Sequence, residues 1–508
     1  MTNETSIVKE TLKGKIILIT GCTGFLGKVL LEKIIRSTSD VAKIYLVIRN
    51  SERFESGQQR LEQEVLNSSI FTSIKNLKEE AFNVFCESKI QVVCGELTEK
   101  YFGLNEESFS KMASEIDVII NSAASVDFRE PLDQALHINT LSLNNIVELS
   151  KVGGDIPVVQ VSTCYVHGLN KGDIYEETLA PYHGNVPRNA KGQYLVEGLV
   201  KRLQDKITQA VVSAENNTRK KALVDLGIEE ANFYGWNDTY TFTKWLGEQL
   251  LIEKLDGGAL SIVRPSIIES TLREPVPGWI EGIKVADAIV FAYARGKVSY
   301  FPANPHGIMD IIPADLVANA VILATVKALR SPGETNIYQC CSSGSNPVTV
   351  AELKRAMLTE AQANYTSYPK LFKMKKPADE FTFVSRAVFE ASMKAAQVPL
   401  ELLQEVRAIF GYKKDQNKLH KNINTAINLS TTFSFYCFPK YRFHNGKLLS
   451  LACELGEEID GEFAVDAKLI NWQKYFGKTH LNGLERYAIN EEAKSTLVKK
   501  QGRPSLLM

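Results

Sequence analysis

A tyrosine and a lysine stand four residues apart in the segment Tyr240-Thr-Phe-Thr-Lys244. The segment has the pattern of a helix start, and residues at i and i+4 of a helix lie on one face. A free tyrosine has a pKa of about 10, and a neighbouring ammonium favours the phenolate and lowers that pKa. We therefore expect Tyr240 to donate a proton to a carbonyl oxygen that receives hydride. The same spacing is common by chance, so the surrounding motifs decide its meaning.

A glycine-rich turn follows the first predicted strand and leads directly into a helical pattern. Its glycines are Gly21, Gly24 and Gly27, spaced Gly-x-x-Gly-x-x-Gly. Such a turn lets backbone N–H groups approach a pyrophosphate at the N-terminus of a helix. The context predicts a dinucleotide site, and the other predicted contacts in the turn are Thr20, Thr23, Phe25 and Leu26.

The end of the second predicted strand indicates which dinucleotide is bound. An NAD site usually has an acidic residue about 20 residues after the glycines, where it holds the ribose 2′-hydroxyl. This chain has Arg49 and Asn50 there instead. A guanidinium can pair with a 2′-phosphate, with Arg53 or Arg60 assisting, so the predicted cofactor is NADPH. A solvated arginine at a strand end is the alternative reading.

Two further strand ends carry polar groups. The fifth predicted strand ends at Ser162 and Thr163, and we expect the Thr163 hydroxyl to hydrogen-bond the same carbonyl oxygen as Tyr240. Ligands bind at this carboxyl edge in doubly wound sheets. A later strand ends at Arg264, Pro265 and Ser266, which suit the wall beside a nicotinamide amide.

These groups need a sheet whose strand ends meet. The first 160 residues alternate apolar strands with amphipathic helical patterns such as Lys28–Arg36 and Leu132–Leu149. This alternation predicts an α/β fold, a Rossmann-type doubly wound parallel sheet. The predicted strands are Lys15–Thr20, Lys43–Arg49, Ile90–Gly95, Val118–Ser122, Pro157–Thr163, Leu260–Arg264 and Asn336–Cys341.

The rhythm breaks at residues 166–238, which have the pattern of an insertion above the sheet, and at the proline-rich residues 266–315. From about residue 350 the strands give way to helical, lysine-rich and aromatic-rich sequence. We predict two domains, residues 1–350 for the dinucleotide and 351–508 as a mainly helical C-terminal domain.

Composition excludes several other classes. The chain has 508 residues with 59 basic and 59 acidic side chains, a balance that gives no support for nucleic-acid binding. No apolar run approaches the ~20 residues of a membrane span. Eight cysteines without a Cys-x-x-Cys pair, and histidines without metal spacing, predict a cytoplasmic protein with neither a disulfide framework nor a metal site. The basic tail from Lys499 to Arg503 is a weaker hint of peripheral membrane contact.

The motifs together resemble the extended short-chain dehydrogenases, and within them the alcohol-forming fatty acyl-CoA reductases, particularly bacterial ones of the marine wax-ester-producing kind. The resemblance covers nearly the whole chain. The segments that carry it are TGCTGFLGKVLLEKIIRS, VIINSAASVDFREPLDQALHINT, VQVSTCYVHG, DTYTFTKWLGEQLL, IVRPSIIES, EPVPGWIEG, DIIPADLVANA, YQCCSSGSNP and AVDAKLINWQKYF.

The resemblance implies that NADPH reduces fatty acyl-CoA to a primary fatty alcohol through a fatty aldehyde. Whether acyl carrier protein thioesters also serve as donors is open at the level of sequence. The resemblance also implies a catalytic set of Thr163, Tyr240 and Lys244. Ala123 and Ala124 would border the nicotinamide ribose, and Asn139 would support the lysine through water. Gly95, Glu96 and Leu97 stand where relatives often have Gly-Asp-Leu beside the adenine, and Glu96 departs from that pattern by its longer side chain.

Four alternatives stay open at the level of sequence. Cys164 could attack the thioester and form an acyl-enzyme, although no base is evident beside it and a buried packing role is favoured. The chain could be a two-electron acyl-CoA or aldehyde reductase, or an epimerase or reductase of nucleotide sugars. It could also bind NADPH without catalysis, which the intact Thr, Tyr and Lys disfavour.

Overall fold

The computed structural model describes residues 6–51, 53–284, 286–296, 300–389, 391–392 and 435–489, with only the backbone of Ala288. The chain forms two compact units. The first unit comprises Met1–Gly282, Asp310–Asn346 and Phe443–Ile470, and the second comprises Ile283–Met309, Pro347–Arg442 and Asn471–Met508.

Short apolar strands build the first unit. They are β1 (Ile16–Thr20), β2 (Lys43–Ile48), β3 (Ile90–Cys94), β4 (Val118–Asn121), β5 (Val158–Val161), β6 (Gly172–Ile174), β7 (Leu260–Pro265), β8 (Ile267–Glu269), β10 (Ile311–Pro313) and β11 (Thr335–Cys340), while β9 (Tyr300–Pro302) and β12 (Thr382–Val384) belong to the second unit. A further strand, β13, spans Tyr441–Phe443.

Seven of these strands form one parallel sheet in the order β11-β7-β5-β4-β1-β2-β3. The central strands are buried along their length, as expected for a parallel sheet covered on both faces. Strand order reverses between β1 and β4, which is the crevice where doubly wound sheets bind ligands. Beyond the sheet, β8 pairs in parallel with β10.

Helices of the first unit cover the sheet and frame its carboxyl edge, the edge formed by the C-terminal ends of the parallel strands. The longer ones are Phe25–Ser37, Thr72–Lys89, Glu106–Glu115, Leu143–Val152, Glu197–Ser213, Arg219–Tyr234, Thr239–Lys254, Ala314–Arg330 and Gly446–Glu454. Shorter helical segments are Ile7–Leu12, Gly57–Arg60, Leu61–Leu66, Ser69–Phe71, Lys100–Gly103, Leu132–Leu136, His137–Leu141, Cys164–His167 and Ala467–Leu469.

The second unit is mainly helical where it is described, with β9 and β12 paired in parallel. Its helical segments are Asp287–Ala294, Val350–Asn364, Tyr365–Ser367, Pro369–Phe372, Gln473–Thr479, His480–Gly483 and Leu484–Ala488. Thr349 and Glu352 form a capping box at the start of Val350–Asn364. His480 Nε2 lies 2.7 Å from Asp287 Oδ1, which ties two of these helical segments together.

The structure confirms the predicted α/β class: every predicted strand of the main sheet is present, with ends that differ by one or two residues. The two units do not coincide with residues 1–350 and 351–508. Residues 443–470 belong to the first unit and residues 283–309 to the second. The hydrophobic pattern of a sequence predicts its helices and strands, but it does not show which of them pack together. The basic tail from Lys499 to Arg503 lies outside the described residues.

No helix among the described residues is both long enough and apolar enough to span a lipid bilayer.

Candidate active site

The glycine turn after β1 packs against the chain that leaves β4. Gly21 has a φ of +74°, and a Cβ there would lie 2.6 Å from Ala123 N. A Cβ at Gly27 would lie 2.1 Å from Gly21 O, inside the turn itself. Both positions therefore require glycine. Gly24 is exposed and caps the helix Phe25–Ser37, so the N-terminus of that helix faces outward.

The first turns of this helix are held from one side. The Phe25 ring stacks on buried Trp279 with centroids 5.5 Å apart. Lys28 Nζ lies 2.7 Å from both carboxylate oxygens of Glu281. These contacts fix the helix start relative to the loop after β8. Thr23 and Leu26 are half-buried in the same turn.

Side chains that were predicted to bind a 2′-phosphate meet beyond β2. Arg49 has 62% of its side chain exposed, and its Nη1 lies 3.9 Å from Glu96 Oε2. Buried Arg60 donates to the Arg49 carbonyl at 3.0 Å and pairs with Glu64 at 2.8 Å. Arg49 therefore presents a solvent-exposed guanidinium from a backbone that Arg60 anchors.

Asn50 and Leu97 lie at the same strand ends. Asn50 is exposed, and its Oδ1 accepts from Cys94 Sγ at 2.8 Å. Leu97 is buried, and its carbonyl accepts from Asn145 Nδ2 at 2.9 Å. Glu96, which stands where relatives often have an aspartate beside the adenine, has its carboxylate directed at Arg49.

The helix Thr239–Lys254 carries the tyrosine and the lysine on one face. Asp238 caps it, its Oδ1 accepting from Thr241 N at 2.8 Å. Asn139 Nδ2 donates to Thr243 Oγ1 at 3.1 Å, and the Thr140 hydroxyl donates to the Thr243 carbonyl at 2.9 Å. The residue before Lys244 is thus tied to the chain that follows β4.

Asn139 also holds the loop after β4. Its Oδ1 accepts from Ser125 N at 2.9 Å, and its Nδ2 donates to Ser125 O at 3.1 Å. Its amide therefore joins the loop that contains Ala123 and Ala124 to the Tyr240 helix. Its support of Lys244 through water stays a prediction.

Thr163 and Tyr240 meet above the end of β5. The buried Thr163 hydroxyl caps the turn Cys164–His167 by accepting from Tyr165 N at 3.2 Å, and it lies 3.4 Å from Pro265 O. Burial raises the pKa of Tyr240 well above its ordinary value, Asp238 adds to the increase, and a hydrogen bond with Thr163 opposes it. The expected lowering of this pKa is not found, because desolvation of the phenolate dominates.

Lys244 is buried, with a relative exposure of 3%. Its Nζ donates to the Val161 carbonyl at 2.7 Å. Burial lowers its pKa to about 8, and Glu248 opposes that shift. The ammonium of Lys244 therefore loses its proton at a pH much nearer neutrality than an exposed lysine does.

Arg264 lies at the end of β7, and its guanidinium is bonded within the protein. The fully buried guanidinium pairs with both oxygens of Glu248, at 2.9 and 2.6 Å, and donates to Glu177 O at 2.8 Å. It joins β7 to the Tyr240 helix. At the same strand end the Pro265 carbonyl lies 3.4 Å from the Thr163 hydroxyl, and Ser266 is buried.

Cys164 and His167 are buried beneath the site. The Cys164 thiol donates to the Arg264 carbonyl at 3.0 Å, and burial raises its pKa. Burial lowers the pKa of His167 to about 3, and its ring packs edge-on against Phe443 at 5.0 Å. A buried thiol with a raised pKa is a poor nucleophile, which favours the packing role for Cys164.

Three residues at this edge were not singled out from the sequence. Phe128 packs edge-on against the Tyr240 ring, with centroids 5.7 Å apart. Asn121 and Gln160 are fully buried at the ends of β4 and β5, and Asn121 Nδ2 donates to Gln160 Oε1 at 2.7 Å. The available signal was a polar residue inside each of the apolar runs VIIN and VVQV.

Family comparisons agree with this architecture. Residues 19–321 match an NAD-binding family model described as male sterility protein, and residues 396–491 match a second model with the same description. The chain is 33% identical over 499 residues to fatty acyl-CoA reductase 2, chloroplastic, of Arabidopsis thaliana, covering 95% of this chain and 79% of the relative. It is 32% identical over 510 residues to the alcohol-forming fatty acyl-CoA reductase of Simmondsia chinensis, covering 96% and 100%.

Solved structures resemble the fold at lower identity. The terminal R domain from the myxalamid PKS-NRPS biosynthetic pathway aligns with a TM-score of 0.56 and 19% identity, covering 93% of this chain and 90% of that one. The reductase domain of a non-ribosomal peptide synthetase from Mycobacterium tuberculosis aligns with a TM-score of 0.53 and 15% identity, covering 95% and 96%.

Proposed function

The chain belongs to the fatty acyl-CoA reductases, within the extended short-chain dehydrogenases, and we propose that it reduces long-chain fatty acyl-CoA to a primary alcohol. NADPH is the proposed cofactor, a fatty aldehyde the intermediate, and CoA the leaving group. The observation that carries the proposal is the grouping of Tyr240, Thr163 and Lys244 at the carboxyl edge, two strands along from the glycine turn.

The tight packing of the glycine turn, in which side chains at Gly21 and Gly27 would collide with backbone atoms, supports a pyrophosphate site at this turn. We expect backbone N–H groups of the turn to hold the pyrophosphate at the exposed start of the helix Phe25–Ser37. Ala123 and Ala124 would border the nicotinamide ribose, with Pro265 and Ser266 beside the amide. When bound, the dinucleotide supplies hydride.

Tyr240 and Thr163 would stabilise the negative charge that develops on the substrate oxygen. As the thioester carbon is reduced, its oxygen becomes an oxyanion, and the hydroxyls of Tyr240 and Thr163 donate to it. The C–S bond then breaks, and CoA leaves as a thiolate. In the second reduction Tyr240 transfers its proton to the aldehyde oxygen, which yields the alcohol. Lys244 holds its ammonium beside the cofactor ribose and Tyr240.

The acyl chain needs an apolar surface, and the second unit contains an apolar cleft. The cleft is small and partly open to solvent. Val290, Leu353, Met357, Phe381 and Phe476 are among the residues that line it. The apolar lining of this cleft, rather than its volume, supports the proposal that the chain contacts a fatty substrate. Acceptance of acyl carrier protein thioesters, and a cytoplasmic location, stay predictions.

Stoichiometry tests the four-electron reaction. We expect two NADPH oxidised for each CoA released from palmitoyl-CoA. Tyr240→Phe should lower turnover by about 10²- to 10⁴-fold, while Tyr338→Phe, at a buried tyrosine of β11, should leave turnover near the wild-type value. A ratio of one would instead indicate an aldehyde-forming enzyme, and no turnover would favour a nucleotide-sugar substrate.

Substitution of Arg49 tests whether the chain prefers NADPH to NADH. Arg49→Ala removes an exposed cation from the end of β2 and should raise the KM for NADPH roughly tenfold or more while changing the KM for NADH little. Arg295→Ala, at an exposed arginine of the second unit, is the matched control. An equal effect of Arg49→Ala on both cofactors would contradict the 2′-phosphate assignment.

A further inference from the structure

A row of buried polar side chains crosses the carboxyl edge from β1 to β5. The Thr20 hydroxyl donates to Asn121 Oδ1, Asn121 Nδ2 donates to Gln160 Oε1 at 2.7 Å, and Gln160 Nε2 donates to the Val161 carbonyl at 2.7 Å. Thr20, Asn121 and Gln160 have relative exposures of 1%, 0% and 2%. A row buried to this degree is stable only when each group is hydrogen-bonded.

The row ends at the oxygen that also binds the lysine. Val161 O accepts from Gln160 Nε2 and from Lys244 Nζ, both at 2.7 Å. A carbonyl oxygen has two lone pairs, and these two donors use both of them. Lys244 therefore shares its acceptor with an amide from the adjacent residue of β5.

The orientation of the Gln160 amide is set by its neighbours. Asn121 presents its NH₂ group to Gln160 Oε1, because Asn121 Oδ1 accepts from the Thr20 hydroxyl. Gln160 must then turn its own NH₂ group toward Val161 O. A reversed amide would place two N–H donors against each other and two oxygens against each other.

Lys244 has capacity for further partners. An ammonium has three donors, and among the described residues the hydrogen bond of Lys244 Nζ is the one to Val161 O. Under the proposed function the ammonium also binds the dinucleotide ribose. Any turn of the ammonium toward the ribose would weaken the bond to Val161 O, and a buried carbonyl left without a donor costs stability.

We propose that Gln160 is a positioning residue that keeps the Val161 carbonyl hydrogen-bonded when Lys244 turns toward the dinucleotide. Gln160 thereby removes the penalty for moving the ammonium. Asn121 and Thr20 act one step behind it, by holding the Gln160 amide in the donating orientation. The inference rests on the proposed role of Lys244 in dinucleotide binding.

Calorimetric titration with NADPH tests the inference without turnover. Gln160→Met keeps the length of the side chain but cannot donate, so Lys244 becomes the remaining side-chain donor to Val161 O. We expect NADPH to bind roughly 5- to 100-fold more weakly. Gln249→Met is the matched control, since Gln249 is a buried amide on the same helix as Lys244 with no hydrogen-bond partner among the described residues.

A double-mutant cycle separates positioning from a merely structural role. In a Lys244→Met background no ammonium moves, so Gln160→Met should change NADPH affinity little. Equal losses in both backgrounds would overturn the inference, as would wild-type affinity in Gln160→Met. If Lys244→Met itself left NADPH affinity unchanged, the proposed role of Lys244 would fail instead.

A conservative variant supplies a second readout. The buried carboxyl of Gln160→Glu can donate to Val161 O while it is protonated, but not after ionisation. We expect NADPH affinity close to wild type at acid pH and a growing deficit relative to wild type as pH rises. A deficit that is independent of pH would contradict the requirement for a donor.

Discussion

Burial acts in opposite directions on the two proposed acid–base residues. It raises the pKa of Tyr240, so the phenol stays protonated and suited to donate a proton. It lowers the pKa of Lys244 to about 8, because the charged form loses its hydration. Near neutral pH the site therefore holds a neutral phenol and a largely protonated lysine on one helix face, the combination that the proposed carbonyl reduction needs.

From the lowered pKa of Lys244 we expect dinucleotide binding to weaken at alkaline pH. Ammonium contacts are present below about pH 8 and are lost as pH rises through that value. Dinucleotide affinity should therefore fall above that pH in the wild type. In Lys244→Arg the guanidinium stays charged, so the fall should disappear even if affinity is lower overall. A decline at the same pH in both proteins would assign the titration to another group.

At the scale of elements, the glycine turn and the Tyr240 helix are positioned by different means. The turn depends on backbone packing, since Gly21 and Gly27 leave no room for side chains. The helix depends on hydrogen bonds from the segment after β4, which reach Thr243 from Asn139 and Thr140. Both converge on β4, the strand beside the reversal of strand order.

Gly27→Ala tests the backbone packing of the turn. The added Cβ would lie 2.1 Å from Gly21 O, so the turn must shift, and we expect dinucleotide binding to fall at least tenfold. Gly198→Ala adds a Cβ with no neighbour within 4 Å, on the helix Glu197–Ser213, and is the control. Unchanged NADPH affinity in Gly27→Ala would show that this turn does not hold the dinucleotide.

At the scale of the molecule, long-range polar contacts bind the first unit together. Arg264 and Glu248 are almost wholly buried and join β7 to the Tyr240 helix. Lys33 donates to Glu274 and to the Glu462 carbonyl, linking segments more than 240 residues apart in sequence. The sheet unit is therefore assembled from three separated stretches of chain rather than from one.

Glu248→Gln tests the buried ion pair. It leaves the Arg264 charge uncompensated, and we expect a loss of about 3–5 kcal/mol in the free energy of unfolding. Tryptophan fluorescence in urea can follow this, since Trp236, Trp245 and Trp279 belong to the first unit. The double variant Glu248→Met, Arg264→Met should recover most of the loss. If Glu248→Gln were as stable as the wild type, the ion pair would contribute nothing to the free energy of unfolding.

The sequence alone determined the local features of this protein. The strands, the glycine turn and the shared helix face of Tyr240 and Lys244 were predictable, because each follows from the periodicity or conformational freedom of neighbouring residues. Its motifs also identified the family, which the comparisons confirm. The cofactor phosphate, the substrate and the individual site residues stay predictions.

Only the tertiary structure decided which side chains share partners. Lys244 and Val161 are 83 residues apart, and Asn121 and Gln160 are 39 apart. Its place at a strand end did not reveal that Arg264 pairs with Glu248, a contact that a buried guanidinium requires because burial of an unpaired charge is costly. The lysine and the amide that share Val161 O could not be paired from sequence, since hydrogen bonding of buried groups is settled only when distant elements pack.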